Sequence, residues 1–185
     1  MYEELGAFGT DVSIILPDFN NIIHHYTLTC GEYCIATNYQ GQVDTVYREY
    51  EKTVAEVVQE FGRENCSTTV RNMYDRGSFD QWVPIIHAIE PRALRDTRKR
   101  DNLNMPYASY HFEVGGDNNK FLRESGFKVF PAVAPRWQTT GGDIYGNSPG
   151  MEALGDVKQL QHEQLRKAQA IDYQVRPPLQ VPTSM

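Results

Sequence analysis

Cysteine and histidine side chains near the start of the chain are the residues whose chemistry could bind a metal. Cys30 and Cys34 lie four positions apart, His24 and His25 precede them, and Cys66 follows. Structural zinc sites pair their ligands as C-x₂₋₄-C with a second matching pair, and no second pair follows here. Because Cys30 and Cys34 fall in a strand pattern and would share one face, we expect two small core residues and no metal site.

A thiol nucleophile is the second chemistry to weigh, with Cys66 as the nucleophile and His87 or His111 as its base. A cysteine and a distant histidine occur together in most proteins, so the pairing carries almost no information. His111 also falls in a strand pattern, where a structural cross-strand role is commoner. We therefore expect no catalytic residues and no enzyme activity.

A glycine-rich segment and a basic loop could each bind phosphate groups. The segment 141–146, GGDIYG, fits neither G-x-G-x-x-G nor a P-loop, because no Lys-Ser or Lys-Thr follows. We interpret it as a flexible approach to a helix, and we expect no cofactor. Between Arg92 and Arg100, five basic residues share a loop with Asp96. Mixed charge of this kind favours a solvated loop over nucleic-acid binding, with a subunit contact as the main functional alternative.

Length, composition and charge limit the class of protein. The 185 residues suffice for one domain or a little more, and 40% of them are apolar, enough for a core. The net charge of −6 argues against a surface that coats nucleic acid, although a channel that moves DNA must not hold it tightly. No run of eighteen apolar residues predicts a membrane span, and the N-terminus lacks a signal-peptide pattern. Three cysteines without framework spacing favour a reducing compartment.

The elements that would position these residues predict an α+β fold: an antiparallel β-rich body with short helices, followed by one long C-terminal amphipathic helix. Strands are predicted at 12–16, 22–29, 33–37, 43–50, 82–90 and 107–114, and three or four of the first strands as one antiparallel meander. Short helices are predicted from Thr53, which has a capping box with Glu56, and from Ser67. Pro84 predicts an edge strand. Residues 121–124 should form a strand or helical turn, with a turn at Ser125-Gly126.

The long helix is predicted from Pro149 to Asp172, with Ser148 as the N-cap and Pro149 at the first helical position. Its length would be about 36 Å. Its apolar residues cover about half the circumference: Met151, Leu154, Val157, Leu160, Leu165, Ala168 and Ile171. We expect a polar opposite side with Lys158, Gln161, His162, Glu163, Arg166 and Lys167. Pro177 and Pro178 should end the helix. Because little chain follows, something outside this chain is expected to cover the apolar face.

One long segment carries a family resemblance. GDIYGNSPGMEALGDVKQLQHEQLRKAQAID, followed by PPL at 177–179, resembles the head-to-tail connecting (portal) protein of short-tailed bacteriophages. The resemblance extends through GEY at 31–33, VYREY at 46–50 and RESGF at 123–127, so it covers most of the chain. The order and spacing of these segments carry it, and no single motif does. Proteins of this family are much longer, so we expect an internal third of such a protein.

The resemblance implies a structural virion protein of a phage or prophage, without enzyme activity. It implies a dodecameric ring at one capsid vertex, through which double-stranded DNA passes, without sequence specificity, during packaging and ejection. The partners implied are further copies of the chain, the terminase, capsid proteins and tail proteins, with assembly in the cytoplasm of the bacterial host and no membrane. The parts implied are a wing-like α+β body at 1–140, a hinge and stem-like helix at 141–174, and the start of a clip-like segment at 175–185.

The same resemblance gives the long helix its expected site residues. The helix start and hinge would comprise Gly142, Gly146, Ser148 and Pro149. A DNA-channel or subunit-interface set would comprise Lys158, His162, Arg166 and Lys167. An oligomer-packing face would comprise Leu154, Val157, Leu160, Leu165 and Ile171.

Two other classes remain open from the residues alone. One is a small α+β metal-binding protein or enzyme that uses the cysteine and histidine set, which bound zinc or an unusually reactive thiol would favour. The other is a different head–tail adaptor module, which a ring that binds the portal would favour.

Overall fold

A computed structural model describes residues 2–116 and 120–177, and it confirms the α+β class. The helices are α1 (Tyr2–Phe8), α2 (Val54–Phe61), α3 (Thr68–Asp75) and α4 (Pro149–Val175), with a short 3₁₀ turn at Asn102–Asn104. The strands are β1 (Val12–Asp18), β2 (Ile22–Leu28), β3 (Tyr33–Thr37), β4 (Val43–Thr53), β5 (Trp82–Pro91), β6 (Tyr107–Glu113), β7 (Arg123–Phe127) and β8 (Ala132–Val133). Helix α4 therefore runs three residues beyond its predicted end at Asp172.

The strands form two antiparallel sheets, so the prediction of one N-terminal meander is wrong. The smaller sheet has the order β2-β1-β8, and the larger has the order β3-β4-β5-β6-β7. The β1–β2 hairpin places Val12 opposite Leu28, and β8 then pairs with the other edge of β1 through Ser13 and Val133. Strand β3 consequently begins a new sheet instead of extending the first.

Strand β5 lies at the centre of the larger sheet, so the edge position predicted from Pro84 is also wrong. Pro84 pairs with Glu51 on β4, whereas the ladder with β6 begins one residue later, at Ile85. The Pro84 carbonyl accepts a hydrogen bond of 3.0 Å from the Val114 N–H on the β6 side. The missing N–H of Pro84 points to that same side, beyond the ladder, so the proline leaves no strand partner unpaired.

The predicted turn at Ser125-Gly126 is instead the middle of β7. Ser125 pairs with Ser109, and Gly126 pairs with Ala108. The loop before β6 packs directly over this strand, so that a Cβ at Gly126 would lie 2.5 Å from the Asn102 carbonyl oxygen. Glycine here permits a close approach of two backbones, which the sequence alone cannot distinguish from a turn.

Two layers cover the same face of the larger sheet. The smaller sheet covers one end, in a core that includes Val12 and Ile14 of β1 with Ile89 of β5. Helices α2 and α3 cover the other end, in a core with Ile85 of β5. Since positions 85, 87 and 89 of one strand share a face, His87 lies between these two cores.

Local capping signals position the helical layer as the sequence predicts. The Thr53 hydroxyl accepts a hydrogen bond from the Glu56 N–H, and the Glu56 carboxylate accepts one of 3.0 Å from the Thr53 N–H. Gly62 ends α2 with a φ of 85°. Ser67 caps α3 by accepting a hydrogen bond from the Val70 N–H.

Candidate assembly surface

Helix α4 is the candidate functional element, and all of its 27 residues are exposed. At 1.5 Å per residue it is about 40 Å long. Its main neighbour in the described structure is the short helix α1, which contacts the N-terminal turn. The remainder of the helix projects from the body.

Ser148 fixes the start of α4 to the body through two hydrogen bonds. Its Oγ accepts from the Met151 N–H at 2.9 Å, which makes it the N-cap, and donates to the Ala7 carbonyl of α1 at 2.7 Å. The side chain is 1% exposed. A helix of this length therefore leaves the body from a buried cap, and Pro149 follows at the first helical position.

Gly146 is packed against the backbone that follows α1. Its N–H donates to the Thr10 hydroxyl at 2.7 Å, and a Cβ added here would overlap the Gly9 carbonyl and lie 3.0 Å from the Trp137 nitrogen. A Cβ at Gly142, by contrast, would meet no atom within 4 Å. The two glycines of the predicted hinge are thus in different surroundings: one is held tightly and the other is open.

The segment that leads into α4 is tied to β3, to the turn after β3 and to the backbone after α1. The Arg136 guanidinium donates to the Gly41 carbonyl at 2.7 Å, and the Tyr145 hydroxyl accepts from the Ile35 N–H at 3.1 Å. The Trp137 N–H donates to the Gly9 carbonyl at 2.8 Å. These contacts set the direction in which α4 leaves the body.

The apolar residues of α4 have no cover within the described structure. Leu154 is 50% exposed, and Leu165 is 57% exposed. Similar exposure applies to the rest of the predicted packing face, which comprises Val157, Leu160 and Ile171, and to Met151 beside it. An isolated surface helix normally turns such residues inward, so a continuous exposed set of this size marks an interaction surface.

The basic residues of α4 are less cleanly separated from the apolar residues than we expected. At 100° per residue, Lys158 falls about 40° from Leu154, between the directions of Leu165 and Met151. Gln161 also falls inside the apolar half, whereas His162 and Arg166 lie to one side of it. An interface on this half would therefore have to accommodate the Lys158 ammonium at its rim.

The cysteines are not the core residues that we expected. Cys30 and Cys34 are both exposed, whereas Cys66 is buried. Cys30 lies in the turn before β3, outside any strand, so the two side chains do not share a strand face. Among residues 2–116 and 120–177, no three His, Cys, Asp or Glu side chains are grouped to hold a metal.

The basic loop has one structural arginine. Arg92 donates to the Glu124 carboxylate at 3.0 Å and to the Ser125 carbonyl at 3.1 Å, which joins the end of β5 to β7. The other basic residues of the loop are exposed: Arg95, Arg98, Lys99 and Arg100.

Within the described residues, no helix combines the length and hydropathy that crossing a bilayer requires.

A second group of residues, which sequence reasoning missed, lies between the two layers that cover the larger sheet. The imidazoles of His87 and His111 stack there with centroids 3.9 Å apart, and the His87 Nε2 lies 2.9 Å from the Ser109 hydroxyl. Burial, reinforced by neighbouring positive charge, lowers the pKa of His87 to about 2 and that of His111 to about 3. The alternation of β4 and β5 could have revealed this group, because it places Arg48 and His87 among inward-facing apolar residues.

Comparison with known proteins relates the whole chain to phage assembly. A family model described as "Bacteriophage head to tail connecting protein" matches residues 1–185. The probable portal protein of Bordetella phage BPP-1 is 63% identical over 184 residues, which cover 100% of this chain and 33% of the relative. The portal protein of Salmonella phage epsilon15 is 47% identical over 186 residues, which cover 100% of this chain and 34% of the relative. The chain thus spans about a third of the length of these curated relatives.

Proposed function

The chain belongs to the family of bacteriophage head to tail connecting proteins, and we propose on that premise that it forms part of a portal ring. In this proposal, double-stranded DNA passes through the ring during packaging and ejection. The observation that carries the proposal is the exposed helix α4, which is about 40 Å long and beyond its first turn is not covered by any other described residue. Relatives named as portal proteins, at 63% and 47% identity, support the same role.

The energetics of α4 support a subunit interface on its apolar half. Full burial of a leucine side chain contributes about 1.5–3 kcal/mol, and Leu154 and Leu165 retain about half their area for a partner. Each would thus contribute about 1 kcal/mol when covered by a neighbouring subunit. Leu160 and Ile171 have similar exposure, so these four side chains together would contribute about 4 kcal/mol to association.

Ring closure requires a head-to-tail interface, in which α4 of one subunit contacts a different surface of the next. A rigid exit from the body suits this geometry, because the closing rotation depends on a constant angle between helix and body. The buried cap at Ser148 and the tightly packed Gly146 supply that rigidity. The open Gly142 lies in the preceding segment, where we propose that any adjustment of the angle takes place.

The charges on α4 suit a wall past which DNA slides. The helix carries four acidic and three basic residues. The acidic ones are Glu152, Asp156, Glu163 and Asp172, and the basic ones are Lys158, Arg166 and Lys167. A uniformly basic wall would neutralise phosphates, release counterions and hold the DNA tightly. Near balance with scattered cations avoids this, and we propose that Lys158, His162, Arg166 and Lys167 lie at the channel or at the neighbouring subunit.

The proposed partners follow from the position of such a ring. We propose that it occupies one capsid vertex, contacts the terminase on one side and tail proteins on the other, and assembles in the bacterial cytoplasm. The role is structural and non-enzymatic. We assign residues 1–140 to a wing-like body, 141–174 to a hinge and stem-like helix, and 175–185 to the start of a clip-like segment. Of this last segment, residues 178–185 lie outside the described residues.

The test is the native mass of the full-length protein that contains this chain, by light scattering together with negative-stain imaging. We expect rings of about a dozen subunits with a central hole, held by head-to-tail contacts. A compact monomer or dimer at every concentration would refute the proposal.

A further inference from the structure

A cleft of about 610 Å³ lies between the two layers that cover the larger sheet. The smaller sheet lines one side through His24 and Tyr26, and α2 lines the other through Glu60. Strands β4 to β7 form the floor. The volume is within the range of small-molecule pockets, about 300–1,000 Å³.

The floor of the cleft holds buried polar atoms without partners. His87 is 3% exposed and His111 is 8% exposed, and both rings line the cleft. Their Nδ1 atoms have no hydrogen-bond partner among the described residues. An unpaired buried polar atom is costly, and where several occur beside a cavity they indicate a site for a ligand.

Arg48 presents a cation to the same cleft. Its guanidinium lies 4.8 Å from the Tyr26 ring centroid and 4.5 Å from that of Tyr50, so aromatic rings hold it in place. Its Nε lacks a hydrogen-bond partner, and it forms no ion pair within residues 2–116 and 120–177. A held arginine without a carboxylate is available to an anion from outside.

The other charges of the cleft leave it positive. Lys52 and Arg123 both approach the Glu60 carboxylate, Arg123 at 3.8 Å. Three cations, Arg48, Lys52 and Arg123, therefore face one carboxylate, for a net charge of +2. Ser125 adds a hydroxyl group, which can donate a hydrogen bond to an anion, and the Ser109 hydroxyl is hydrogen-bonded to His87.

We propose that this cleft is a binding site for a phosphate-class dianion, with Arg48 as its principal contact. A guanidinium donates two parallel hydrogen bonds to phosphate oxygens, and the net charge of +2 matches a dianion better than a single carboxylate. With the proton of each neutral imidazole on Nδ1, the two Nδ1–H groups can donate to the anion, while His87 Nε2 accepts from the Ser109 hydroxyl and Ser125 supplies a further donor. The site is separate from α4 and from the proposed channel, and it requires no ring.

The experiment titrates the chain with inorganic phosphate at constant ionic strength, with sodium chloride as the compensating salt. Imidazole signals of His87 and His111 are followed by NMR. We expect both to shift and saturate, with a Kd on the order of 1 mM. Arg48→Gln should weaken binding by about tenfold or more, whereas Arg98→Gln, an exposed arginine outside the cleft, should leave it unchanged. Should Arg48→Gln fail to fold, Arg123→Gln replaces it with the same expectation.

Three results would overturn the proposal. The first is the absence of any saturable shift of the two histidines up to about 50 mM phosphate. The second is equal weakening by Arg98→Gln, which would indicate diffuse attraction to surface charge. The third is acetate binding at these histidines as tightly as phosphate, which would identify a carboxylate site instead. Saturable phosphate binding would not show whether the protein forms a ring. A failure of the full-length protein to form rings would not affect this phosphate titration.

Discussion

Lowering the pH from about 7.5 to about 5.0 should destabilise this fold through the stacked pair His87 and His111. Burial keeps both imidazoles neutral in the folded chain, where their pKa values are about 2 and about 3, against an ordinary value of 6.5. The unfolded chain binds these two protons below pH 6.5, and the folded chain does not. A depressed folded-state pKa therefore gives full stability above pH 6.5 and a loss that grows as the pH falls toward 3.

The magnitude follows from the width of that window. Each pH unit below 6.5 costs about 1.36 kcal/mol per histidine, so each contributes a loss of about 2 kcal/mol at pH 5. The pair together lowers the free energy of unfolding by about 4 kcal/mol, a large part of the 5–15 kcal/mol typical of a domain. Hydrogen bonds lower the pKa values of Asp18 and Glu56 from ordinary values of 3.8 and 4.5, so these carboxyl groups titrate below this window.

The assay is urea unfolding at several pH values between 7.5 and 5.0, followed by the fluorescence of Trp82 and Trp137. The double variant H87Q/H111Q should lose most of the slope with pH, and H25Q, an exposed histidine on β2, should keep it. Single variants replace the double one if it does not fold. Buffers should be cationic and free of phosphate, because an anion in the cleft would stabilise the protonated rings. A flat wild-type profile between pH 6.5 and 5.0, or an undiminished slope in H87Q/H111Q, would refute the reasoning.

Three further perturbations test local parts of the account. Gly146→Ala should lower the free energy of unfolding by about 1–3 kcal/mol, because the new Cβ overlaps the Gly9 backbone. Gly142→Ala, in open space, should change the free energy of unfolding little, and urea titration compares the two variants. Thr53→Ala should cost about 1 kcal/mol in the same assay, through loss of the capping box of α2. Lys158→Glu or Arg166→Glu should reduce virion yield while changing the free energy of unfolding by less than about 0.5 kcal/mol. A normal virion yield from both variants would contradict the role proposed for α4.

Local signals in the sequence were sufficient to predict helices α2, α3 and α4. The capping box of Thr53 and Glu56 and the N-cap at Ser148 depend on residues three positions apart, so they can be found without knowledge of the fold. The helix predicted from Pro149 was confirmed, and its start could be found because the N-cap signal is local. Its last turn was missed because no strong stop signal precedes Pro177.

Sheet pairing could not be predicted in the same way, because it depends on contacts far apart in the chain. The partner of β1 on its second edge is β8, where Ile14 pairs with Ala132 across more than a hundred residues. Nothing near either segment specifies the other. Proline in a strand usually predicts an edge position, because it lacks an N–H for the neighbouring strand. The prediction was wrong for β5 because Pro84 lies just outside the ladder with β6, where no N–H is needed.

The cleft was not predicted because its residues give no signal of a binding site when each is considered alone. In the sequence, His87 and His111 stand out only as candidate bases for Cys66, whereas Cys66 lies in the core beneath α2 and α3. The useful signal was the alternation of β4, which places Arg48, Tyr50 and Lys52 on the face that also buries Val46. Two cations on a buried strand face point to a polar site.

The central claim, that the apolar half of α4 is buried between subunits, is tested most directly by the accessibility of one side chain on that half. Leu165→Cys, in a background with Cys30→Ser and Cys34→Ser, is alkylated in the 185-residue chain and in the assembled full-length protein. We expect alkylation at least about tenfold slower in the assembly, since thiol reactivity follows access. Glu163→Cys, on the opposite side of the helix, should react at similar rates in both. Equal rates for Leu165→Cys in ring and isolated chain would contradict the account.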